Sequence, residues 1–232
     1  MSERETRKIC VIGLDSSTKS AAKALLSDDA EVYALVPGGS RTSQKETKEQ
    51  FPSGVRVISE KDLAGGFDFV VHGPGISRFH PLVRKAVETG IPVVSDVEFA
   101  SRDFCCLNIA VTGTNGKTTT AELIAEILGV AQRKTVRAGA SGLSVFDVAG
   151  ETRDLDFVTL DLNAFQLDSI EHFRSAIAVV TNIRPDELDT YGSVAQYARS
   201  IGNIFKNQQV FDWAVVQSEA LAHLRALEVP IP

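Results

Sequence analysis

The chain has 232 residues, 44% hydrophobic and 23% charged, with 24 Lys and Arg against 30 Asp and Glu for a net charge of −6. That composition excludes a disordered chain and leaves room for one large domain or two small ones. The acidic balance excludes a general nucleic-acid binder, which carries a basic stripe. It leaves phosphate ligands open, because backbone amides hold those without a basic protein. No apolar run reaches the roughly 18–20 residues of a membrane helix, so no membrane partner is expected. The first eight residues are charged and lack the apolar stretch of a signal peptide. Three cysteines, Cys10, Cys105 and Cys106, lack metal-ligand spacing, and adjacent Cys105 and Cys106 are too close for an ordinary disulfide. A reducing cytoplasm is the expected compartment.

In chain order, residues 9–13 read as a buried strand, 20–27 as a helix and 31–36 as a second strand. The polar stretch 37–54 reads as loop or short helix. Residues 67–72 form a third strand, broken by Gly73-Pro74-Gly75. A helix over 81–89 and a strand over 91–94 complete the first half. Such alternation predicts an α/β fold, a parallel sheet covered by helices. The pattern restarts near residue 102. A strand over 107–112 runs into a glycine-containing loop and a helix whose stripe is Leu123, Ile124, Ile127 and Leu128. Residues 155–160, 176–181 and 213–216 read as strands, and 193–205 and 218–227 as helices. Two Rossmann-like units follow, 1–101 and 102–232, the second unfinished. Trp213 and most phenylalanines are expected in the core, Cys105 and Cys106 as small apolar fillers.

The chemical signal is strand, then Gly113-x-x-Gly116-Lys117-Thr118, then helix. Val111 stands where the strict phosphate-loop pattern has its first glycine, so this is a shortened variant. Its physics is unchanged: glycines let successive N–H groups curl inward toward phosphate oxygens, and the helix adds the positive end of its dipole. Lys117 reaches terminal phosphates and the Thr118 hydroxyl suits Mg²⁺. Asp161 ends a strand, where open α/β sheets form their ligand crevice. It is placed for Mg²⁺ or a metal-bound water, the alternative being a solvated strand end. The run Asp186-Glu187-Leu188-Asp189 either faces the same crevice or is a charged loop capping the next helix. The four histidines show no zinc spacing.

These residues resemble the Mur ligases. The loop 112–119 looks like the ATP loop of that family, and Gly113, Thr114, Asn115, Gly116, Lys117, Thr118 and Thr119 are its ATP-binding candidates. Residues 73–76, 80–81 and 90–99 resemble the end of the family's N-terminal domain. The run Leu160-Asp161-Leu162-Asn163-Ala164-Phe165-Gln166-Leu167-Asp168 is similar to its D-glutamate-adding branch. The likeness continues through Asn182, Tyr197 and 204–208.

The resemblance implies a P-loop-type central domain, 102–232, after an N-terminal UDP-sugar-binding domain, with a third domain that the 232 residues do not include. It implies ATP and Mg²⁺ as cofactors and UDP-N-acetylmuramoyl-L-alanine and D-glutamate as substrates in peptidoglycan synthesis. ATP would convert a carboxylate to an acyl phosphate, which the amine attacks to form the amide. By motif position Lys117, Asp161 and Glu187 are catalytic candidates, and Thr118, Asp161 and Glu187 metal candidates. Ser16, Ser17, Gly75, Asn163 and Gln166 would line the UDP-sugar site.

Several positions depart from the family pattern. Asp15 replaces a glycine near a pyrophosphate, where a carboxylate repels the ligand. Ala140 stands for the asparagine of a Gly-Asn-x-Gly motif, and Glu187 for a metal-associated histidine. Asp161 is one methylene shorter than the expected glutamate. Ile201 occupies the place of a lysine that, carbamylated, supports magnesium; Lys206, about 140° around the helix, does not substitute. The expectation is therefore a D-glutamate-adding ligase present as a partial chain, inactive alone. The alternatives are a degenerate nucleotide-binding module without ligase activity and a structural remnant.

Overall fold

The computed structural model describes residues 6–38, 44–63 and 65–232; the first five residues of the expected charged start and part of the 37–54 loop lie outside them. The first unit runs β1 (Lys8–Ile12), α1 (Ser16–Ser27), β2 (Glu31–Leu35), α2 (Gln44–Glu49), β3 (Arg56–Val57), β4 (Phe69–His72), α3 (Pro81–Glu88) and β5 (Val93–Ser95). After α4 (Asp96–Ala100) come β6 (Leu107–Thr112), α5 (Lys117–Val130), β7 (Thr135–Gly139), α6 (Val145–Ala149), β8 (Phe157–Asp161) and α7 (Ala164–Asp168). The chain continues through β9 (Ile177–Val180), α8 (Leu188–Tyr191), α9 (Val194–Gly202), β10 (Trp213–Val216) and α10 (Ser218–Ala226).

The strands form two five-stranded parallel sheets, β3-β2-β1-β4-β5 and β10-β9-β6-β8-β7. Their central strands read as unbroken apolar runs because helices cover both faces. Ile9, Cys10, Val11 and Ile12 are fully buried in one sheet, and Ala110, Val111, Val158 and Leu160 in the other. In each sheet the chain leaves the first strand to opposite sides, so a crevice opens at the carboxyl ends of β1 and β6.

Several expectations need correction. The second sheet has five strands, because β7 was not expected; Arg137 interrupts its apolar pattern and it lies at the sheet edge. Helix α1 starts four residues early, since Asp15 caps it by accepting from the Thr18 amide. In α5 only half of the stripe faces the sheet: Ile124 and Leu128 are half-buried, whereas Leu123 and Ile127 are exposed. Trp213, 71% exposed on edge strand β10, and Phe211 lie outside the core. Cys105 is exposed and Cys106 half-buried, while Cys10 is buried and its thiol pushed up to about 12 by burial.

The two sheets meet through α1, α4 and α6, with Phe99 stacked on Phe146 across the junction at 6.0 Å. Polar groups complete it. Glu98, fully buried on α4, accepts the backbone N–H groups of Glu171, His172 and Phe173 at 2.8–3.0 Å. Asp96, 1% exposed, accepts from Ser17 Oγ, Gln166 Nε2 and the Val97 amide, each at 2.8 Å. Ser17 Oγ also lies 3.1 Å from Ser144 Oγ.

Candidate functional site

At the end of β6 the chain must reverse into α5 within four residues. Gly113, at φ +130°, passes so close to Thr181 and Asn182 that a Cβ would collide with both. Gly116, at φ +83°, caps α5 in the left-handed region that favours glycine. No side chain caps this helix. Its first intrahelical bond runs from the Thr120 amide to Gly116 O. The amides of Gly116, Lys117, Thr118 and Thr119 therefore precede the helical ladder and point out of its N-terminus, where the dipole favours an anion.

The other half of the loop is fastened to the strand beside it. The Thr114 amide donates to Asn182 O (3.0 Å) and the Asn115 amide to Asn182 Oδ1 (3.0 Å). Asn182 Nδ2 and Thr181 Oγ1 each donate to Asn115 O at 2.8 Å. The loop thus divides: Thr114 and Asn115 hold it to the end of β9, and residues 116–119 supply the donors. Lys117 Nζ folds back onto Gly113 O and Thr114 O, both at 2.9 Å. Burial pushes its ammonium below the usual lysine range, opposed by Asp186, Asp161 and Glu187.

Beside the helix start, Thr118 Oγ1 donates to Asp161 Oδ2 at 2.8 Å. Asp161 is 1% exposed; its neighbour Gly139 lies so close that a Cβ would strike the Asp161 backbone. Ser141 donates its hydroxyl to Asp161 Oδ2 and its amide to Oδ1 (3.2 Å). Arg137 Nη1 stands 3.8 Å from Asp161 Oδ2 while Nη2 pairs with Glu122 at 3.2 Å. Ser141 and Arg137 were not among the sequence candidates. Their only signal is the pair Gly139 and Gly142 around the end of unforeseen β7.

Asp186 and Glu187 do face the crevice: with Lys117, Asn163, Ala164, Phe165 and Tyr197 they line a cavity of about 50 Å³. Glu187 takes a left-handed φ of +50° at the start of α8. Burial, then Asp186 and Asp189, raise its carboxyl above the usual range. Ser193 caps α9 independently, accepting from Gln196 N at 3.2 Å. Among the described residues no group of three His, Cys, Asp or Glu is arranged to hold a metal alone. One carboxylate and two hydroxyls still suit Mg²⁺ held jointly with phosphate oxygens, because that ion keeps few protein ligands.

The remaining candidates lie on the first unit's side. Ser16 and Gly75 are exposed at the ends of β1 and β4. Asn163 Nδ2 donates to Pro74 O at 2.9 Å, so Asn163 adjoins Gly75. Ser17 and Gln166 are buried and both spent on Asp96. Ile201 is fully buried in the second core, and Lys206 Nζ bonds to Ile170 O. His72 is fully buried and held neutral, its pKa lowered to about 4 by desolvation.

The chain is 39% identical over 220 residues to a UDP-N-acetylmuramoylalanine–D-glutamate ligase of Geobacillus kaustophilus, covering 92% of this chain and 48% of that protein. It is 33% identical to the enzyme of that name from Streptococcus agalactiae, covering 91% and 48%. The chain spans about half the length of the curated relatives it matches. Among solved structures it is similar to the UDP-N-acetylmuramate:L-alanyl-gamma-D-glutamyl-meso-diaminopimelate ligase of Neisseria meningitides. The TM-score is 0.60 at 18% identity, over 95% of this chain and 75% of that one. UDP-N-acetylmuramate-alanine ligase MurC of Thermotoga maritima aligns with TM-score 0.53 at 22% identity, over 94% and 51%; at these identities the likeness is one of fold. Residues 111–228, about half of the chain, match the Mur ligase middle domain, and the chain belongs to the Mur ligase family.

Proposed function

We propose that the chain is the sugar-nucleotide and ATP-binding part of an ATP-dependent ligase that joins D-glutamate to UDP-N-acetylmuramoyl-L-alanine in the cytoplasm. Residues 1–101 form the sugar-nucleotide side and 102–232 the ATP side. The observation that carries the reading is the uncapped start of α5 beside the Thr118–Asp161 pair, with Lys117 within reach. The names of the relatives support the choice of substrates. No helix among the described residues is long and apolar enough to cross a membrane.

In this reading the amides of 116–119 bind phosphate oxygens, and Lys117 leaves its two carbonyls to neutralise the terminal phosphate. Thr118, Asp161 and Glu187 would be the residues that hold Mg²⁺. When bound, the ion spreads the negative charge that builds up during phosphoryl transfer. Asn163 and the strand ends of β1 and β4 would orient the acceptor carboxylate toward the loop.

A second reading, a nucleotide-binding module without ligase activity, is favoured by Ile201, a ligand-free side chain sealed in the core where the family resemblance puts a metal-supporting lysine. Two measurements separate them. Calorimetric titration with MgATP, with Lys117→Ala as control, tests the loop, and absence of heat in the parent chain removes both readings. Phosphate release with both substrates tests ligation: turnover establishes the first reading, while MgATP binding without turnover, even with the remainder of a relative supplied, establishes the second.

A further inference from the structure

The corner between β7, β8 and α5 holds more oxygen atoms than its protons can serve. Thr118 Oγ1 is 2.8 Å from Asp161 Oδ2 and 3.0 Å from Ser141 Oγ, and Ser141 Oγ closes on the same Asp161 oxygen. That triangle has three close edges. Each hydroxyl brings one proton and the carboxylate is an acceptor, so two hydroxyl protons serve the triangle's three contacts, to which Arg137 Nη1 adds only a 3.5 Å approach to Ser141 Oγ. A hard cation at such a place turns three competing acceptors into three ligands.

The local build explains why Ser141 is there. Its amide is tied to Asp161 Oδ1 and its carbonyl accepts from Arg137 Nη1 at 3.1 Å. The side chain is thus fixed at both backbone ends. Gly142 leaves room for the guanidinium, which a Cβ there would meet at 2.8 Å. The neighbouring residue, Ala140, has no ligand atom.

We propose that Ser141 is a cation-binding residue: its hydroxyl joins Thr118 and Asp161 around the Mg²⁺ that accompanies the nucleotide. It supplies the polar group that Ala140 lacks. This rests on the phosphate-loop reading above. Arg137, 3.8 Å from Asp161 and already paired with Glu122, balances part of the carboxylate's charge.

The test is calorimetric titration of the whole chain with ADP, without metal, with Mg²⁺ and with Cd²⁺. The parent, Ser141→Ala and Ser141→Cys are compared, and the readout is the change in ADP affinity that each metal causes. In the parent, Mg²⁺ tightens ADP about tenfold or more. Ser141→Ala loses that gain, in the ~10–100-fold range typical of a perturbed metal shell, while its metal-free ADP affinity stays within about twofold. Ser141→Cys also loses the magnesium gain but acquires one with Cd²⁺, since a thiolate prefers the softer ion. Exposed Cys105 does not confuse this, because metal bound elsewhere leaves the ADP affinity unchanged.

A Ser141→Ala chain that keeps the magnesium gain overturns the proposal, as does a Ser141→Cys chain blind to cadmium. A parent that binds ADP without responding to magnesium overturns it while the phosphate loop stands. A parent that binds no ADP in any condition overturns the loop reading and this inference together.

Discussion

Asp96→Asn should make the chain's stability less dependent on pH. Asp96 is 1% exposed at the junction of the two sheets, and desolvation raises its carboxyl from an ordinary 3.8 to about 6, against the opposing help of Gln166, Ser17 and the Val97 amide. A carboxyl whose folded value lies above its unfolded value binds its proton more tightly in the folded state. Below about pH 4 both states are protonated and nothing is lost. As pH rises through 4 to 6 the unfolded chain ionises first, and folding stability falls. At about 1.4 kcal/mol for each tenfold in proton affinity, the full loss is about 3 kcal/mol, of which about 2 kcal/mol falls between pH 4.5 and 7.5. Asparagine keeps the geometry: its Oδ1 still accepts from Gln166 and Val97, while its Nδ2 donates to Ser17 Oγ. Ser17 can then donate onward to Ser144 Oγ, 3.1 Å away. Urea unfolding of parent and variant at pH 4.5 and 7.5 provides the assay. The stability difference should move by about 2 kcal/mol in favour of the variant at the higher pH. A difference flat across that range, or one moving against the variant, refutes the reasoning.

Other outcomes follow from single residues. Lys117→Ala should weaken nucleotide binding about tenfold to a hundredfold, the scale of one charge-assisted contact, with thermal unfolding unchanged within error. Gly113→Ala, which drives a methyl into Thr181 and Asn182, should lower the melting temperature more than Gly116→Ala, whose Cβ meets open space and costs only about 1–2 kcal/mol of left-handed backbone. Glu98→Ala removes the shared acceptor of three backbone amides, that of Phe173 buried, and should cost about 2–3 kcal/mol in urea unfolding. Glu98→Gln should recover only part of that: its amide oxygen can take the place of Oε2 but is uncharged, and its Nε2 then turns a donor toward Arg102.

What the sequence disclosed, and what it hid, divides along physical lines. Strand β6, its glycine turn and α5 were legible because an apolar run buried on both faces meets two glycines and then a helical pattern. Strand β7 was not, because an edge strand needs only half an apolar pattern and Arg137 sits in its middle. Helix α4 was hidden because Asp96 and Glu98 read as surface residues. Both are buried, for a reason that exists only once two distant segments, Ser17 and 166–173, arrive to donate hydrogen bonds to them. Trp213 shows the converse: a large aromatic looks like core, yet alternation on an edge strand turns it to solvent. The site divides the same way. Lys117 and Thr118 announce themselves through local spacing. Ser141 becomes visible only when β7 is laid beside β8 and its hydroxyl lands on Asp161.

The two sheets repeat one device, a central strand that turns sharply into a helix, but they treat its helix start in opposite ways. In α1, Asp15 Oδ1 accepts the Thr18 amide at 2.8 Å and the Thr18 hydroxyl at 3.0 Å, and its other oxygen lies against Gly73. The helix start is capped, and its dipole already faces a carboxylate. In α5 the cap is Gly116, which has no side chain to offer. An anion approaching α1 meets a negative charge and must displace a hydrogen bond. One approaching α5 meets amides outside the helical ladder and the ammonium of Lys117. Both helices carry the same dipole, so the residue at the cap sets whether the helix start is open to an anion. In this chain the open start is that of α5, beside the Thr118–Ser141–Asp161 corner. The first unit instead spends its polar groups, Ser17 above all, on holding the two sheets together.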